Sequence, residues 1–555
     1  ARRQEGPPTQ APELPQSFLT LPLVAAMRSI VRRSVLPRLT RTPTLLATAQ
    51  KPLWQRVGVR ALSTAEAVSD EPRSRYRSTR GGQAGLTFSD AVLQGLANDK
   101  GLLVPETVPS LPAGAPEIWR GLSFEELAFE VMSLYIDPAE VDEAALKDII
   151  GRSYATFRDR DVTPVVPITD GMHTLELFHG PTFAFKDVAL QFLGNLFEHL
   201  LSQRPGQKIT VLGATSGDTG SSAIQGLRGK KGVECFIMYP DGRTSRTQEL
   251  QMITITDANI HNIALGGTFD DCQAIVKASF NDHAFRDQHS LAAVNSINWA
   301  RILAQQVYYI YAYLKTTSPP APGAPPPKVS FSVPTGNFGD ILAGYYAKAM
   351  GLPIDQLIVA TNSNDILHRF FEQSDYSVAT AGVAETISPS MDIGVSSNFE
   401  RFLFHMTGDN TAEMAGLMNG FEASKTLAAS PALVNACREH MTSARVTDDE
   451  ILATISDVHA RADGYTLDPH SAIGVAAARR IGVTPGVPMI CLACAHWAKF
   501  PDANRAALGE ETAASLVVPE ELASLGSMPT RVSQQPNSLA DVHAFVKATL
   551  AERAA

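Results

Sequence analysis

Five cysteines among 555 residues are too few, and odd in number, to staple the chain with a disulfide framework. A reducing compartment is the expectation. No apolar run approaches the roughly 18–20 residues that a membrane-spanning helix needs. Aromatics stand at 7% and charged residues at 19%, yet 44% of the chain is hydrophobic, which excludes disorder and collagen and leaves apolar mass for more than one core. Positive charge is also short, and unevenly so. The formal net charge is -10, but residues 1–65 hold ten Lys/Arg against two Asp/Glu, so the remainder carries 37 basic and 55 acidic side chains. A body that acidic has no global electrostatic reason to bind nucleic acid or anionic lipid, and only a local basic pocket for a small anion is compatible with it. No internal repeat is present.

The amino-terminal segment has the opposite character. Met27 to Leu62 contains eight basic residues (Arg28, Arg32, Arg33, Arg38, Arg41, Lys51, Arg56, Arg60), no acid, and scattered Ser and Thr among Leu, Val and Ala. That is transit-peptide chemistry, and Arg56-Val-Gly-Val-Arg60-Ala-Leu-Ser63 resembles a mitochondrial presequence near its cleavage site. The expectation is a removable presequence over 1–65 and a mitochondrial protein. Composition does not separate plastid import from this, and cytoplasmic residence follows if the segment does not act as a transit peptide. Residues 1–26 precede the first Met.

Residues 66–165 read as an α-rich leading domain, with apolar residues at three- and four-residue spacing in Phe88–Leu96 and Phe124–Met132. From 166 to 515, short β-rich runs alternate with helical runs: Lys208–Leu212, Glu234–Tyr239, Val329–Val333, Leu357–Ala360 and Val487–Ala493. This is an α/β layout with mostly parallel sheets flanked by helices. Lys315 to Lys328 contains six prolines and reads as a surface insertion between a helix and a strand. Residues 516–555 read as a helical tail.

Three segments carry chemistry. In His179-Gly-Pro-Thr-Phe-Ala-Phe185-Lys186-Asp187, a lysine follows aromatics and opens an apolar helix, a setting that favours the neutral amine a Schiff base requires. A lysine of this kind, taken alone, more commonly reaches out to solvent. Next, strand Lys208–Leu212 leads into Gly213-Ala-Thr215-Ser216-Gly217-Asp218-Thr219-Gly220 and then a helix. Backbone N–H groups at such a helix start form an anion site, and the hydroxyls add donors. The loop lacks the lysine of a Walker A motif and the G-x-G-x-x-G of a dinucleotide fingerprint. The same strand, glycine loop and helix plan recurs at Val329–Val333 followed by Pro334-Thr-Gly336-Asn337-Phe338-Gly339-Asp340. Each loop alone is weak, since glycines at a tight turn often have only a backbone reason. Two anion cradles and an amine-bearing lysine together specify an aldehyde cofactor with its own phosphate and an amino-acid substrate with its carboxylate, which is pyridoxal phosphate chemistry.

These segments, together with Ala293–Ala304, Asn364–Leu367, Met391–Ile393, Ser396–Arg401 and Leu467-Asp-Pro-His470, resemble the threonine synthase family from Tyr76 to the carboxyl-terminal tail. The chain is similar to the class without the S-adenosylmethionine-regulated extension. The resemblance implies fold type II of the pyridoxal phosphate enzymes (tryptophan synthase β-like), and conversion of O-phospho-L-homoserine and water to threonine and phosphate. It implies that Lys186 carries pyridoxal 5'-phosphate, with Phe185 beside it, and that Gly336, Asn337, Phe338, Gly339 and Asp340 cradle the cofactor phosphate. Thr215, Ser216, Gly217, Asp218 and Thr219 are then expected to face the substrate carboxylate and the ring. Arg243, Ser245, Asn298 and Arg301 are the candidates for the substrate phosphate, although each could be structural and an arginine in a helix more often makes a salt bridge.

One departure stands out. The family usually reads Thr-Ala-His-Pro-Ala-Lys-Phe, with the Thr hydroxyl beside the pyridine nitrogen; here the segment is Cys494-Ala-His496-Trp497-Ala-Lys499-Phe500. A thiol is the weaker hydrogen-bond partner. The Cys491-Leu-Ala-Cys494 spacing imitates a redox or zinc pair, but no second Cys/His pair at zinc spacing accompanies it, so no metal is expected. Two readings stay open beside the synthase: a related phospho-lyase that yields 2-oxobutyrate, and a noncatalytic metabolite-binding protein. Oligomeric state is not written in the sequence.

Overall fold

The computed structural model describes residues 74–554, so the presequence expected over 1–65 lies outside the described residues. In the leading region, helices start where polar side chains can take up free amides. Thr87 caps Phe88–Gln94, Ser123 and Glu126 form a capping box on Phe124–Met132, and Asp142 caps Glu143–Tyr154. Beside them lies a two-stranded antiparallel ribbon of β1 (Tyr76–Ser78) and β2 (Leu103–Pro105).

The remaining strands are β3 (Val165–Pro167), β4 (Met172–Glu176), β5 (Ile209–Ala214), β6 (Val233–Pro240), β7 (Ile260–Gly266), β8 (Leu291–Ala292), β9 (Val329–Pro334), β10 (Ile354–Thr361), β11 (Thr442–Arg445), β12 (Met489–Ala493) and β13 (Ser533–Pro536). They form a six-stranded sheet in the order β11-β10-β9-β12-β4-β3 and a five-stranded sheet in the order β13-β7-β6-β5-β8. Every pair is parallel except β3 with β4. Strands β9 and β12 are buried along their whole length, as parallel strands covered on both faces must be.

Helix Trp299–Thr316 is buried from Trp299 through Leu314 and runs through the principal core, which also takes in helix Lys186–Ser202 and residues of the leading region. Helices Lys186–Ser202 and Asp218–Leu227 touch backbone to backbone. A methyl carbon on Gly194 would lie 1.9 Å from the Gly226 carbonyl oxygen, and one on Gly226 would lie 2.3 Å from that of Leu190.

The carboxyl-terminal region is more than the helical tail its periodicity suggests. Helix Leu539–Ala554 is present, but Ser533–Pro536 adds a parallel edge strand to β7. Its Ser-Gln-Gln-Pro sequence has no apolar alternation, because an edge strand half open to solvent is held by its backbone hydrogen bonds rather than by a buried face. The Pro-rich insertion is coil between the helix ending at Thr316 and β9.

Candidate active site

Three parallel strands end at one place, and the chain that follows each builds the site. The C-terminal edge of such strands is where α/β folds bind ligands. After β12, Cys494 to His496 fold back alongside Phe183–Phe185: the Phe185 amide donates to the Cys494 carbonyl at 2.7 Å and the His496 amide to that of Phe183 at 3.1 Å. This short ladder sets Lys186, the first residue of its helix, directly after the strip paired with Cys494–His496. Asp187 accepts from the Thr182 amide (2.7 Å) and hydroxyl (2.8 Å), fixing the turn just before the helix.

Lys186 is 8% exposed, its Nζ 3.5 Å from Asp218 Oδ2 and 4.6 Å from the Phe185 ring centroid. Burial lowers its proton affinity, the Asp218 charge opposes this, and the Lys499 and Arg301 charges add to the lowering. Its place in the first turn acts the same way, since the positive end of the helix dipole disfavours an ammonium.

Asp218 opens the helix after β5. Lys499 Nζ and Gln248 Nε2 donate to its Oδ1 at 2.7 and 2.8 Å, and the Ser390 hydroxyl donates to Oδ2 at 3.3 Å. Burial works against the carboxylate, but the charges of Lys499 and Lys186 and these hydrogen bonds outweigh it and hold Asp218 ionised far below the usual range. A carboxylate so held repels another carboxylate. The Asp218 side chain faces the lysine amine, so what the residue can offer a substrate carboxylate is its backbone amide in the first turn of its helix. The Thr215 hydroxyl accepts from the Gly217 and Gly220 amides at 2.9 and 2.8 Å, bracing the loop. Gly217 has φ 148°, and a Cβ there would sit 2.4 Å from Gln248. Ser216 and Thr219 are half-buried, with hydroxyls that have no partner among the described residues.

The loop after β9 is braced from outside. Ser396 Oγ donates to the Gly336 carbonyl at 2.7 Å, while the Asn398 amide and Nδ2 donate to that of Asn337 at 3.1 and 3.0 Å. Phe338, at φ 63°, turns its ring into a cluster with Phe399 and Phe402. Asn337 is exposed, with Oδ1 accepting from Ser397 Oγ at 3.2 Å. What Gly336 to Asp340 can offer an anion is thus their backbone: the first-turn amides of helix Gly339–Ala349, which have no intrahelical acceptor. Asp340 Oδ1 accepts from Tyr308 and Tyr309 at 2.6 and 2.8 Å, whereas its buried Oδ2 has no partner among the described residues. Burial raises this carboxyl to about 6. The Cys494 thiol is pushed well up by burial and then by the Asp340 and Asp468 charges, so it stays a neutral S–H.

The substrate-phosphate candidates separate cleanly. Arg301 is 3% exposed, donates from Nη1 to the Val294 carbonyl at 3.1 Å, and has a buried Nε without a partner. No carboxylate pairs with it among the described residues, so the salt bridge expected of a helical arginine is not made. Burial lowers its proton affinity to about 10. Asn298 is the N-cap of helix Trp299–Thr316, its Oδ1 accepting from the Ala300 amide and its Nδ2 donating to the Val92 carbonyl; it has little left for a ligand. Ser245 caps helix Arg246–Ile253 and donates to Gln248 Oε1 at 2.9 Å, orienting the amide that meets Asp218. Arg243 is exposed on the turn after β6.

Lys499, Gln248, Ser390 and His470 join the site without having been singled out for it. His470 Nδ1 donates to Asp468 Oδ1 at 2.7 Å and its Nε2 accepts from the Ser390 amide at 3.1 Å. Trp497 does not prevent the turn that places Lys499: His496 Nδ1 accepts from the Ala498 amide, and Trp497–Lys499 closes as a 3₁₀ turn. Cys491 and Cys494 are free and buried, and among the described residues no group of three or more His, Cys, Asp or Glu is placed to hold a metal.

A buried amine at the C-terminal edge of parallel strands, an amide cradle beside it, a neutral thiol and an unpaired guanidinium define a pyridoxal-phosphate-dependent enzyme of fold type II. The family described as "Pyridoxal-phosphate dependent enzyme" matches residues 174–494; "Threonine synthase N terminus" matches 75–154 and "Threonine synthase, C-terminal" matches 471–546. Threonine synthase of Schizosaccharomyces pombe is 49% identical over 462 residues, covering 78% of this chain and 89% of that protein. That of Pseudomonas aeruginosa is 48% identical over 473 residues, covering 85% and 98%. The crystal structure of PLP-bound threonine synthase from Brucella melitensis matches with a TM-score of 0.80 at 46% identity, over 86% of this chain and 99% of that one. The chain belongs to the threonine synthase family, and its cofactor is pyridoxal 5'-phosphate. The residues present fit that cofactor: an amine whose proton affinity burial lowers, and a loop at Gly336 where a Cβ would lie 3.3 Å from the Met391 Cα and the Ser390 carbonyl.

Proposed function

We propose that the chain converts O-phospho-L-homoserine and water to L-threonine and phosphate, with Lys186 as the cofactor-bearing lysine. The observation that carries the substrate is Arg301. A buried guanidinium without a carboxylate is costly unless an anion completes it. The amides of Gly336 to Asp340 serve the cofactor phosphate, which leaves Arg301 for a second phosphate. When bound, pyridoxal phosphate supplies the electron-accepting ring system that stabilises negative charge on the substrate carbons. The chain's own residues do the rest. Lys186 Nζ takes and returns protons as a buried amine, and Asp218 Oδ2, within 3.5 Å, stabilises it while it carries one. Ser216 and Thr219 offer hydroxyl donors to the substrate carboxylate. The burial of Lys186, Asp218 and Lys499 restricts the access of water to the reacting atoms.

The test is a product assay that quantifies threonine, phosphate and 2-oxobutyrate together. Threonine equal to phosphate is expected. Phosphate with 2-oxobutyrate would make the protein a phospho-lyase, and no phosphate from cofactor-loaded protein would refute the substrate. Arg301→Leu should lower kcat/KM by about 10²-fold or more, the usual scale for removing a buried charge from a hydrogen-bonded pair.

For residues 1–65, outside the described residues, we propose a mitochondrial transit peptide, supported by the eight basic residues and no acid between Met27 and Leu62. Mass spectrometry of the mature protein checks this, and a mature terminus upstream of Met27 would sink it.

A further inference from the structure

Two lysines meet one carboxylate at the centre of the site, and they are not equivalent. Lys499 has no exposed side-chain surface; its Nζ lies 2.7 Å from Asp218 Oδ1 and 2.7 Å from the Thr182 carbonyl oxygen. Two good acceptors at these distances are what a buried ammonium needs. Lys186 has only Asp218 Oδ2, at 3.5 Å, and the face of Phe185. Oδ1 is further engaged by Gln248, itself oriented by Ser245, and Oδ2 by Ser390, whose amide is anchored on His470. The carboxylate is thus built to belong to Lys499.

We propose that Lys499 is a positioning residue: as the resident cation of Asp218, it leaves Lys186 free to carry the cofactor and move protons instead of serving as that carboxylate's counter-ion. The inference rests on the assignment of Lys186 as the cofactor-bearing lysine. In a dry site a lone Asp218 would pair with the nearest cation, and without Lys499 that cation is Lys186. Lys499 also stands as a positive charge against any proton on the Lys186 nitrogen. The other charged and titratable groups facing the pair are Arg301 from helix Trp299–Thr316, Cys494 after β12, Asp340 after β9 and Asp187 beside Thr182. None of them touches Asp218, so none can take over as its partner.

The experiment titrates the visible absorbance of the bound cofactor, which reports the proton on the nitrogen joining it to Lys186, in holoenzyme of wild type, Lys499→Met and Lys499→Arg. In Lys499→Met the midpoint should move to higher pH by about one unit or more, a tenfold change in proton affinity. In Lys499→Arg, which keeps a positive charge beside Asp218, the midpoint should move less than in Lys499→Met. A Lys499→Met midpoint equal to wild type overturns the proposal and leaves Lys499 a packing residue. Should Lys499→Met not fold, the same titration on Lys499→Gln decides, with the same two outcomes. Borohydride reduction and peptide mass spectrometry on the same samples keep the two readings apart. Cofactor on a lysine other than Lys186 refutes the functional assignment, whereas cofactor on Lys186 with an unmoved midpoint refutes only the role of Lys499.

Discussion

Asp340 shows how one residue can be legible in type and opaque in role. Its position closing a glycine loop marks it for an anion cradle, yet its carboxyl turns away from that task. Tyr308 and Tyr309 engage one oxygen, and burial raises the group to about 6. An ordinary aspartate titrates at about 3.9. The folded state therefore binds this proton more tightly than the unfolded state, and the stability that comes with it is fully present below about pH 4 and lost as pH rises through about 6. Asparagine has no proton to lose. Asp340→Asn, stripped of cofactor, should gain stability relative to wild type as pH rises from 5 to 8, by on the order of 1–1.5 kcal/mol, read as a Tm difference that grows across that range. A Tm difference that does not change across that range would show that the carboxylate form is stabilised in the folded protein as well as in the unfolded one. Arg301 teaches the complementary lesson. Its residue type and its helix suggested a salt bridge, and only the absence of any carboxylate within reach among the described residues turned it toward an anion.

The element that matters most to the site is the pair of helices starting at Lys186 and Asp218. Each charged residue is the first of its helix, and Gly194 and Gly226 each lie eight residues further on, about 12 Å along the axis at 1.5 Å per residue. Because the two backbones touch there, the helix starts are held at a fixed separation, and the 3.5 Å approach of Lys186 to Asp218 follows from it. Gly226→Ala must push Leu190 away. Overpacking of this kind typically costs about 1–3 kcal/mol. The expected result is a lowered Tm with a weakened visible cofactor band, and a Tm within experimental error of wild type would mean that the helices separate without strain. The helix contact these glycines make was not legible in the sequence, since nothing in a helical run tells which partner it will face. Trp497 is the reverse case: a departure from the family pattern at sequence level that the 3₁₀ turn accommodates without displacing Lys499.

At the scale of the whole molecule, the last residues close a sheet that the middle of the chain leaves open. Strand β13 covers the edge of β7, and Val542 and Val546 of the final helix are buried in the same cluster as Phe236 and Ile263. Removing residues 533–555 should expose an unpaired edge beside apolar surface, and the truncated protein is expected to run as aggregate in size-exclusion chromatography. A monodisperse truncation would show that the edge is dispensable. No helix among the described residues is long and apolar enough to cross a membrane. By itself the sequence determined the α/β class, the strand–glycine loop–helix units, the lysine at a helix start and the cradle after β9, because these depend on local periodicity and backbone conformation, which neighbouring residues encode. Only the tertiary structure decided that Asp218 belongs to Lys499, that Asn298 is a cap, that Arg301 is unpaired and that Ser533–Pro536 is a strand. Lys499 and the Thr182 carbonyl it binds are 317 residues apart. Partnerships of that kind are set by how the sheets close and which helices touch, and no local pattern in the chain records them.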